Sequence, residues 1–220
     1  VYATRFILIN LGIPMKKKFY LLLTTVIILG LAIFISPKKD AAAAVQKLFQ
    51  QNSIELVSTD INGNSSSQFP LYNVKWPQLS QDGRYIVWLS ENNELVPGGG
   101  YGHYIYYKDR QTGELQIASS SSDGTFIFVD QFSPPSISAD GNLVAFTSWE
   151  KHGACTSTTS RSNVYVKNMS TGTLTCASTN QAGEEGDNRS QYPSLIADGT
   201  HIVFLSEAEN LVPGIFPRHY

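Results

Sequence analysis

The heptapeptide Pro-Ser-Ile-Ser-Ala-Asp-Gly at residues 135–141 decides the fold, because close copies of it stand at equal distances on either side. Residues 77–83 read Pro-Gln-Leu-Ser-Gln-Asp-Gly, and residues 193–199 read Pro-Ser-Leu-Ile-Ala-Asp-Gly. An apolar stretch follows each copy, at 85–89, 143–146 and 202–205. Three copies in register indicate a repeat protein with a period of about 58 residues.

Two further markers return in step with this period. Thr112-Gly113 is matched by Thr171-Gly172 one period later, to within a single position, and Leu95-Val-Pro97 is matched by Leu211-Val-Pro213 two periods later. Asp–Gly and Thr–Gly pairs between apolar runs favour tight hairpins, because glycine adopts a positive φ at no steric cost. Each period therefore predicts four antiparallel strands in a meander, which is the make-up of a β-propeller blade.

The repeats also set the predicted domain organisation. We expect an all-β fold, a partial β-propeller over residues 54–220, preceded by an apolar N-terminal helix. Its parts are an outer strand at 54–58, complete blades at 75–119 and 134–178, and a half blade at 192–214. A closed propeller needs at least about four blades. The chain is therefore expected to be an incomplete propeller whose unpaired blade edges favour association.

A segment of a different kind precedes the repeats. Met15 is followed by three lysines, an uncharged apolar run at 19–35 and, after a short polar stretch, four alanines, which together are typical of a Sec-type export signal. The apolar run is also just long enough to span a bilayer. Residues 15–44 are thus either a cleaved signal peptide or a membrane anchor, followed by a spacer at 45–53. Residues 1–14 are expected to be upstream sequence outside the fold or a disordered segment.

The charge of the exported part argues against nucleic-acid binding. The whole chain has a formal charge of −2, but residues 1–44 hold six of the 16 Lys and Arg and one of the 18 Asp and Glu. Residues 45–220 therefore carry 10 basic and 17 acidic side chains, a net charge of −7 (10 − 17). An acidic domain repels phosphate backbones. We expect no nucleic-acid partner.

The core of the middle repeat, Pro135 to Ser148, resembles the TolB-type, WD-like β-propeller repeat of exported bacterial proteins. The Asn-Leu-Val-Pro-Gly loop at 210–214 and the Lys-Asp-Arg-Gln-Thr-Gly turn at 108–113 are similar to the same group, and the resemblance covers residues 54–214. The middle repeat departs from the pattern at 149–159, where an irregular loop replaces Leu-Val-Pro. Propellers of this kind serve as binding platforms, enzyme accessory domains and enzymes, so the resemblance implies the fold and leaves the function open.

The repeated Asp–Gly pairs are interpreted as structural turns rather than as a cluster of carboxylates. An aspartate at this point of a hairpin hydrogen-bonds the local backbone. The pairs are Asp82-Gly83, Asp140-Gly141 and Asp198-Gly199. Asp60 to Asn64 offers alternating oxygen ligands but lacks the closing Glu of a calcium loop, so a turn is predicted there as well. No metal and no cofactor is expected.

Cys155 and Cys176 are the only cysteines of the chain. In an exported protein they can form a disulfide within the second blade, closing a loop of about 20 residues and stabilising the fold by about 3 kcal/mol. Two free thiols are the alternative, because Cys155 falls in the irregular loop. Their spacing matches no zinc pattern.

A binding rim is predicted from aromatic and histidine residues in loops. Tyr101, His103 and Tyr104 follow a run of three glycines, and Trp149 and His152 lie in the irregular loop of the middle repeat. Exposed rings beside glycine and histidine are typical of carbohydrate- or peptide-binding surfaces. Packing between blades is the alternative interpretation of the tyrosines.

Together these features predict an exported, non-catalytic propeller that binds a protein or a glycan at the cell envelope, in the periplasm or outside the cell. The chain contains no Gly-x-Ser-x-Gly nucleophile elbow, and we assign no catalytic residue. One alternative is the N-terminal propeller of a larger exported enzyme, such as a peptidase or a glycan-active hydrolase. Another is a membrane-anchored structural protein, since residues 19–35 would contact the membrane if the signal stays uncleaved.

Overall fold

A computed structural model describes residues 7–10, 53–64, 74–91, 95–98, 102–153, 155–156 and 161–212. The chain divides into two units, Phe6–Val57 and Ser58–Tyr220, the second together with Val1–Arg5. The predicted export signal at 15–44 lies outside the described residues, as does the spacer at 45–53 apart from its last residue.

The regular elements of the described residues are all β-strands. In chain order they are β1 (Ile7–Asn10), β2 (Ser53–Leu56), β3 (Lys75–Leu79), β4 (Tyr85–Ser90), β5 (Tyr104–Asp109), β6 (Leu115–Ile117), β7 (Ser136–Ile137), β8 (Leu143–Ser148), β9 (Asn163–Asn168), β10 (Leu174–Cys176), β11 (Ser190–Leu195) and β12 (Ile202–Ser206). Within this described part, no helix has the length and apolar character that crossing a membrane requires.

Eight of the strands form two four-stranded antiparallel sheets. Strands β3, β4, β5 and β6 pair in chain order, and β7, β8, β9 and β10 repeat that order. The register repeats too, since Trp88 pairs with Tyr106 and Phe146 pairs with Tyr165. Strands β11 and β12 pair with each other as the first half of a third blade. The prediction of an all-β fold with four-stranded antiparallel blades is confirmed.

The two complete blades pack on each other through an apolar core. Their second strands are buried continuously, β4 after Tyr85 and β8 after Leu143. Side chains of a strand point alternately to its two sides, so continuous burial means that both sheet faces are covered. Cross-strand aromatic pairs fill the blades, with ring centroids 5.7 Å apart for Trp88 and Tyr106 and 5.9 Å apart for Phe146 and Tyr165.

The half blade differs from the complete blades in the exposure of its second strand. Val203 and Leu205 of β12 are 64% and 67% exposed. One period earlier, Ala145 and Thr147 of β8 are 0% and 1% exposed. Among the described residues, β12 therefore presents an apolar face that the corresponding strands keep buried.

The smaller unit contains one pair of antiparallel strands, with Ile7 opposite Leu56 and Asn10 opposite Ser53. Strand β2 overlaps the predicted outer strand at 54–58. Its partner β1 lies within residues 1–14, which were expected to be upstream sequence outside the fold or a disordered segment. The apolar, β-branched run Ile-Leu-Ile of β1 has a high strand propensity, which explains the departure.

The Asp–Gly turns join neighbouring blades through their backbones. Gln81 N donates to Ala139 O at 2.9 Å, and Ala139 N donates to Ala197 O at 2.8 Å, so positions one period apart are linked. Gly141 lies against Tyr85 of the preceding blade, where a Cβ atom would meet the ring atom Cδ2 at 2.0 Å. The repeat spacing is thus maintained by close contacts at the turns.

Candidate functional site

The repeated aspartates organise their own turns. Each carboxylate accepts a hydrogen bond from the backbone two residues on: Arg84 N to Asp82 at 3.0 Å, Asn142 N to Asp140 at 2.9 Å and Thr200 N to Asp198 at 2.9 Å. The glycines that follow, Gly83, Gly141 and Gly199, have φ values of 71°, 77° and 71°. The Ser138 hydroxyl donates to Asp140 at 2.6 Å and lowers the pKa of that carboxyl. These carboxylates are therefore engaged locally, in separate turns.

A disulfide links Cys155 to Cys176, with Cα atoms 5.9 Å apart. It connects the irregular loop of the middle repeat to β10.

Within that loop, His152 Nε2 lies 3.4 Å from Glu150 Oε2, and the imidazole packs edge-on against Tyr165, with ring centroids 6.3 Å apart. His152 is thus half-buried and held by its neighbours.

The described members of the predicted binding rim differ in their exposure. Tyr104 is 3% exposed and packs on Phe128, with ring centroids 5.3 Å apart, so its ring lies in the protein and offers no face to a ligand. His103 is half-buried and its Nε2 lies 2.5 Å from Glu91 Oε1. Trp149 is 48% exposed. Tyr101 lies outside the described residues.

Exposed aromatic side chains instead lie on the segment between the two complete blades, or on and next to strands that are hydrogen-bonded to it. We define the aromatic rim as the five exposed rings of this region: Trp76, Phe128, Phe132, Trp149 and Tyr192. They come from all three repeats. Phe132 is the most exposed of them, at 64%. Clustered exposed apolar groups mark interaction surfaces.

The inter-blade segment 128–133 is hydrogen-bonded to the strands that carry or adjoin the other rings of the rim. Trp76 Nε1 donates to Gln131 O at 3.3 Å. Tyr192 N donates to Ser133 Oγ at 3.0 Å, and Ser148 Oγ donates to Phe128 O at 2.6 Å. The segment therefore contacts the first strand of the first and third blades, and the second strand of the middle blade.

A buried carboxylate fixes the middle of this segment. Asp130 is 2% exposed, and its backbone N donates to Thr147 O at 2.9 Å. Its Oδ1 accepts from Phe132 N at 2.9 Å, and its Oδ2 accepts from Gln191 Nε2 at 2.8 Å. A buried carboxylate needs such donors. Both oxygens are satisfied, so Asp130 holds Phe132 and Gln191 in place.

Trp76 and Tyr192 have an unusual backbone conformation. Both have φ of 57°, the left-handed region that side-chain-bearing residues rarely adopt. Each lies within a β-bulge, because the register shifts between Lys75 and Gln78 in one strand and between Gln191 and Ser194 in the other. A bulge changes the direction in which a side chain points. Both rings are turned outward in this way, 40% and 46% exposed.

Four of the five rim residues were missed by sequence reasoning, namely Trp76, Phe128, Phe132 and Tyr192. A usable signal was present for two of them. Trp76 and Tyr192 lie two full periods apart, and each directly precedes the repeat proline. A repeated large aromatic residue at one position of a repeat indicates a role common to the repeats.

A separate pocket of about 310 Å³ lies beside the hairpin turns of the two complete blades. Its charged centre is an ion pair in which Arg84 Nη2 lies 2.6 Å from Asp109 Oδ2. The guanidinium lowers the pKa of Asp109 to about 2. Gln111 N also donates to this carboxylate at 2.8 Å. Its charges are engaged in holding the turns, and the described residues contain no cluster of three or more metal-ligating side chains.

The strands and the aromatic rim define a class: propeller-like four-stranded antiparallel sheets with exposed aromatic side chains. Comparisons with known proteins found no matching family model and no matching curated protein. Solved structures with similar folds include TolB from Acinetobacter baumannii, at 18% identity and a TM-score of 0.44, which covers 72% of this chain and 30% of TolB.

Two proteases are also similar. The β-propeller domain of the Trilobed protease from Pyrococcus furiosus has 13% identity and a TM-score of 0.40, covering 60% of this chain and 34% of that domain. The tricorn protease has 18% identity and a TM-score of 0.42, covering 72% of this chain and 12% of the protease. The chain thus spans about a third or less of the length of the structures it resembles.

Proposed function

We propose that this chain is a non-catalytic β-propeller repeat protein that binds a protein or a glycan at the cell envelope through its aromatic rim. The observation that carries the proposal is the convergence of exposed rings from three successive repeats on one hydrogen-bonded segment. Exposed Phe132 and Trp149 leave apolar surface in water, which is unfavourable unless a partner covers it. The envelope location is supported by the export-type sequence at 15–44.

The rim has the properties of a binding surface that is already formed before its partner arrives. Trp and Tyr supply large contact areas with few rotatable bonds and recur at the energetic centres of interfaces. The hydrogen bonds of Asp130 restrain the backbone at Phe132. Less conformational entropy is therefore lost on binding.

The test is a comparison of the ligands captured by the whole chain and by a Phe132→Ser/Trp149→Ser variant. The two side chains are 64% and 48% exposed, so their removal leaves the core intact. Each protein is immobilised and presented with solubilised envelope proteins of the source cells and, separately, with a glycan array. We expect a ligand that the whole chain retains and the variant loses.

Ile61→Ser is the matched control, because Ile61 is 67% exposed and lies in the turn Asp60–Asn64, which carries no rim residue. This variant should capture the same ligand as the unaltered chain. Retention of every ligand by the Phe132→Ser/Trp149→Ser variant would contradict the proposal.

A further inference from the structure

We propose that the pocket beside the hairpin turns of the two complete blades binds a small aliphatic amine. Asp140 and Tyr107 hold its ammonium group, and Tyr85 and Met169 contact its alkyl chain. None of the five rim residues lines this pocket, so the site is separate from the aromatic rim and goes beyond the proposed function. Its support is a set of polar groups that the repeat does not require, a buried hydroxyl group without a partner, and an excess of negative charge.

The second blade shows that the turn after β5 does not require the charge of Asp109. The equivalent residue of that blade is Asn168. Asp109 Oδ1 accepts from Gln111 N at 2.8 Å, and Asn168 Oδ1 accepts from Ser170 N at 3.0 Å, in each case two residues on. A neutral amide thus closes the same turn. The charge of Asp109 pairs with Arg84 instead, whose Nη2 donates to it at 2.6 Å.

The other distinctive groups of the pocket are also replaced in the second blade. The strand registers make three positions of the first blade equivalent to three of the second: Arg84, Tyr85 and Tyr107 correspond to Asn142, Leu143 and Val166. The second blade therefore forms without a guanidinium group or a phenol ring at these positions. Blade formation alone does not account for them in the first blade.

Tyr107 brings a buried hydroxyl group to the pocket that it lines. The residue is 7% exposed, and its ring stacks on Tyr85 with centroids 5.3 Å apart. Within the part of the chain that the structure describes, its hydroxyl has no hydrogen-bond partner. Burial raises the pKa of Tyr107, so the hydroxyl is neutral and can donate or accept. A buried polar group without a partner is unfavourable, and a ligand in the pocket can supply one.

The charges of the lining favour a cationic ligand. The lining contains three carboxylates, those of Asp109, Glu114 and Asp140, and one cation, Arg84, which gives a net charge of −2 (1 − 3). Asp109 and Arg84 are paired with each other. The hydrogen bonds to Asp140 reach its Oδ1 and the one to Glu114 reaches its Oε1, so each carboxylate keeps an oxygen that accepts from no described donor. An ammonium group pairs with such oxygens, whereas an anion is repelled.

The remaining walls favour an organic cation. Tyr85, Tyr107 and Met169 supply apolar surface on which an alkyl chain can pack. The described residues contain no group of three side chains that could hold a metal ion. The volume of about 310 Å³ lies at the lower end of the roughly 300–1,000 Å³ typical of small-ligand sites. In the adjacent turn, Arg110 donates to the Gly83 carbonyl, so its guanidinium is also engaged.

Titration of the whole chain with matched four- and five-carbon ligands tests the ligand class. Butylammonium, cadaverine, butanol and butyrate are compared by calorimetry and by ligand-observed NMR. We expect saturable binding of the two amines and none of butanol or butyrate in the same concentration range. Binding should weaken with added salt, because Asp140 and Glu114 are exposed.

Variants then assign the residues. Asp140→Asn removes the charge but keeps the oxygen that closes the turn, and it should weaken cadaverine binding about tenfold or more. Tyr107→Phe keeps the ring and should weaken binding about threefold or more. Its stability in urea should equal that of the unaltered chain, because the hydroxyl has no described partner to lose. Asp198→Asn is the matched control, because Asp198 occupies the same turn position one repeat later and does not line the pocket.

The contrary outcomes are distinct. Butyrate that binds more tightly than butylammonium would overturn the proposal, because Arg84 rather than the carboxylates would then receive the ligand. Failure of both amines to bind, or equal losses for Asp140→Asn and Asp198→Asn, would overturn it as well. None of these outcomes bears on the aromatic rim, which the capture experiment with Phe132 and Trp149 tests separately.

Discussion

Gly141→Ala should destabilise the protein far more than the same substitution at Gly113. Both glycines have a left-handed backbone, with φ of 77° and 80°. An L-residue in that region costs about 1–2 kcal/mol, and this cost is common to the two variants. The two positions differ in the room available to the added Cβ atom. At Gly113 it would meet nothing within 4 Å, whereas at Gly141 it would meet Tyr85.

The steric conflict at Gly141 cannot be relieved by a small movement. The new Cβ would lie 2.0 Å from Tyr85 Cδ2, 2.6 Å from Cγ and 2.9 Å from Cβ. The tyrosine ring is itself stacked on Tyr107 at 5.3 Å and covered by the Arg84 guanidinium at 4.8 Å. Forcing extra volume into a packed contact costs about 1–3 kcal/mol. Gly141→Ala should therefore cost about 2–5 kcal/mol in total, against about 1–2 kcal/mol for Gly113→Ala.

The assay is equilibrium unfolding in urea followed by the emission of buried Trp88. Tyr85→Ala serves as the second arm of a double-mutant cycle, because removing the ring makes room for the new Cβ. In that background the cost of Gly141→Ala should fall to that of Gly113→Ala. Equal costs for the two glycine variants, or a Gly141→Ala cost that is unchanged by Tyr85→Ala, would refute the inter-blade contact.

Three other predictions concern backbone strain, the disulfide and an acidic side chain. The Trp76→Gly variant should be more stable than Trp76→Ala by roughly 1 kcal/mol, because glycine is unstrained at this φ. This is the reverse of the usual order in strands, and the difference in the free energy of unfolding is measured in urea. Replacing both Cys155 and Cys176 by serine should lower the free energy of unfolding by about 3 kcal/mol, since the link closes a separation of 21 residues. Asp109→Asn should flatten the acid dependence of stability, because Arg84 lowers the pKa of Asp109 from 3.8 to about 2. The charged carboxylate stabilises the fold above its ordinary pKa, and this contribution is lost as the pH falls from about 4 to about 2.

Each of these predictions has a clear contrary result. A Trp76→Ala variant at least as stable as Trp76→Gly would exclude strain at this position. Two titratable thiols in the unfolded, unreduced chain would exclude the disulfide. An Asp109→Asn variant whose stability falls as steeply with acid as that of the unaltered chain would mean that the Arg84 contact contributes little.

The blades could be predicted from sequence because their determinants are local. The Asp140 carboxylate hydrogen-bonds Ser138 and Asn142, each two residues away, and Gly141 is required by the φ of its own backbone. A hairpin of this kind can be recognised from a few consecutive residues. Its return in every period then predicts the strand order of a whole blade.

The exposure of the aromatic rim could not be predicted in the same way, because exposure depends on distant parts of the chain. Tyr104 and Tyr192 are both tyrosines within strands. Tyr104 is buried by Phe128, which lies beyond β6, the next strand along the chain. Tyr192 is exposed because a bulge turns it outward. Neither the packing partner nor the bulge is visible in the local sequence.

The cysteines show a third case, in which the sequence left two alternatives open. Cys155 lies in the irregular loop of the middle repeat, where no other repeat provides a template. The structure brings its Cα to 5.9 Å from that of Cys176. This is within the range that a disulfide requires. The repeat period carries no information about this distance, because the loop is an exception to it.

Site-specific photo-crosslinking in intact cells tests most directly whether the aromatic rim is where this protein meets its partner. A benzophenone side chain is placed at Phe132, and in a second strain at Ile61, which has a nearly equal exposed fraction, 67% against 64%. Benzophenone attacks C–H bonds, so it reports a protein and a glycan alike. The account predicts a discrete crosslinked product from position 132 and none from position 61. Equal crosslinking at both positions, or a product from position 61 alone, would contradict it.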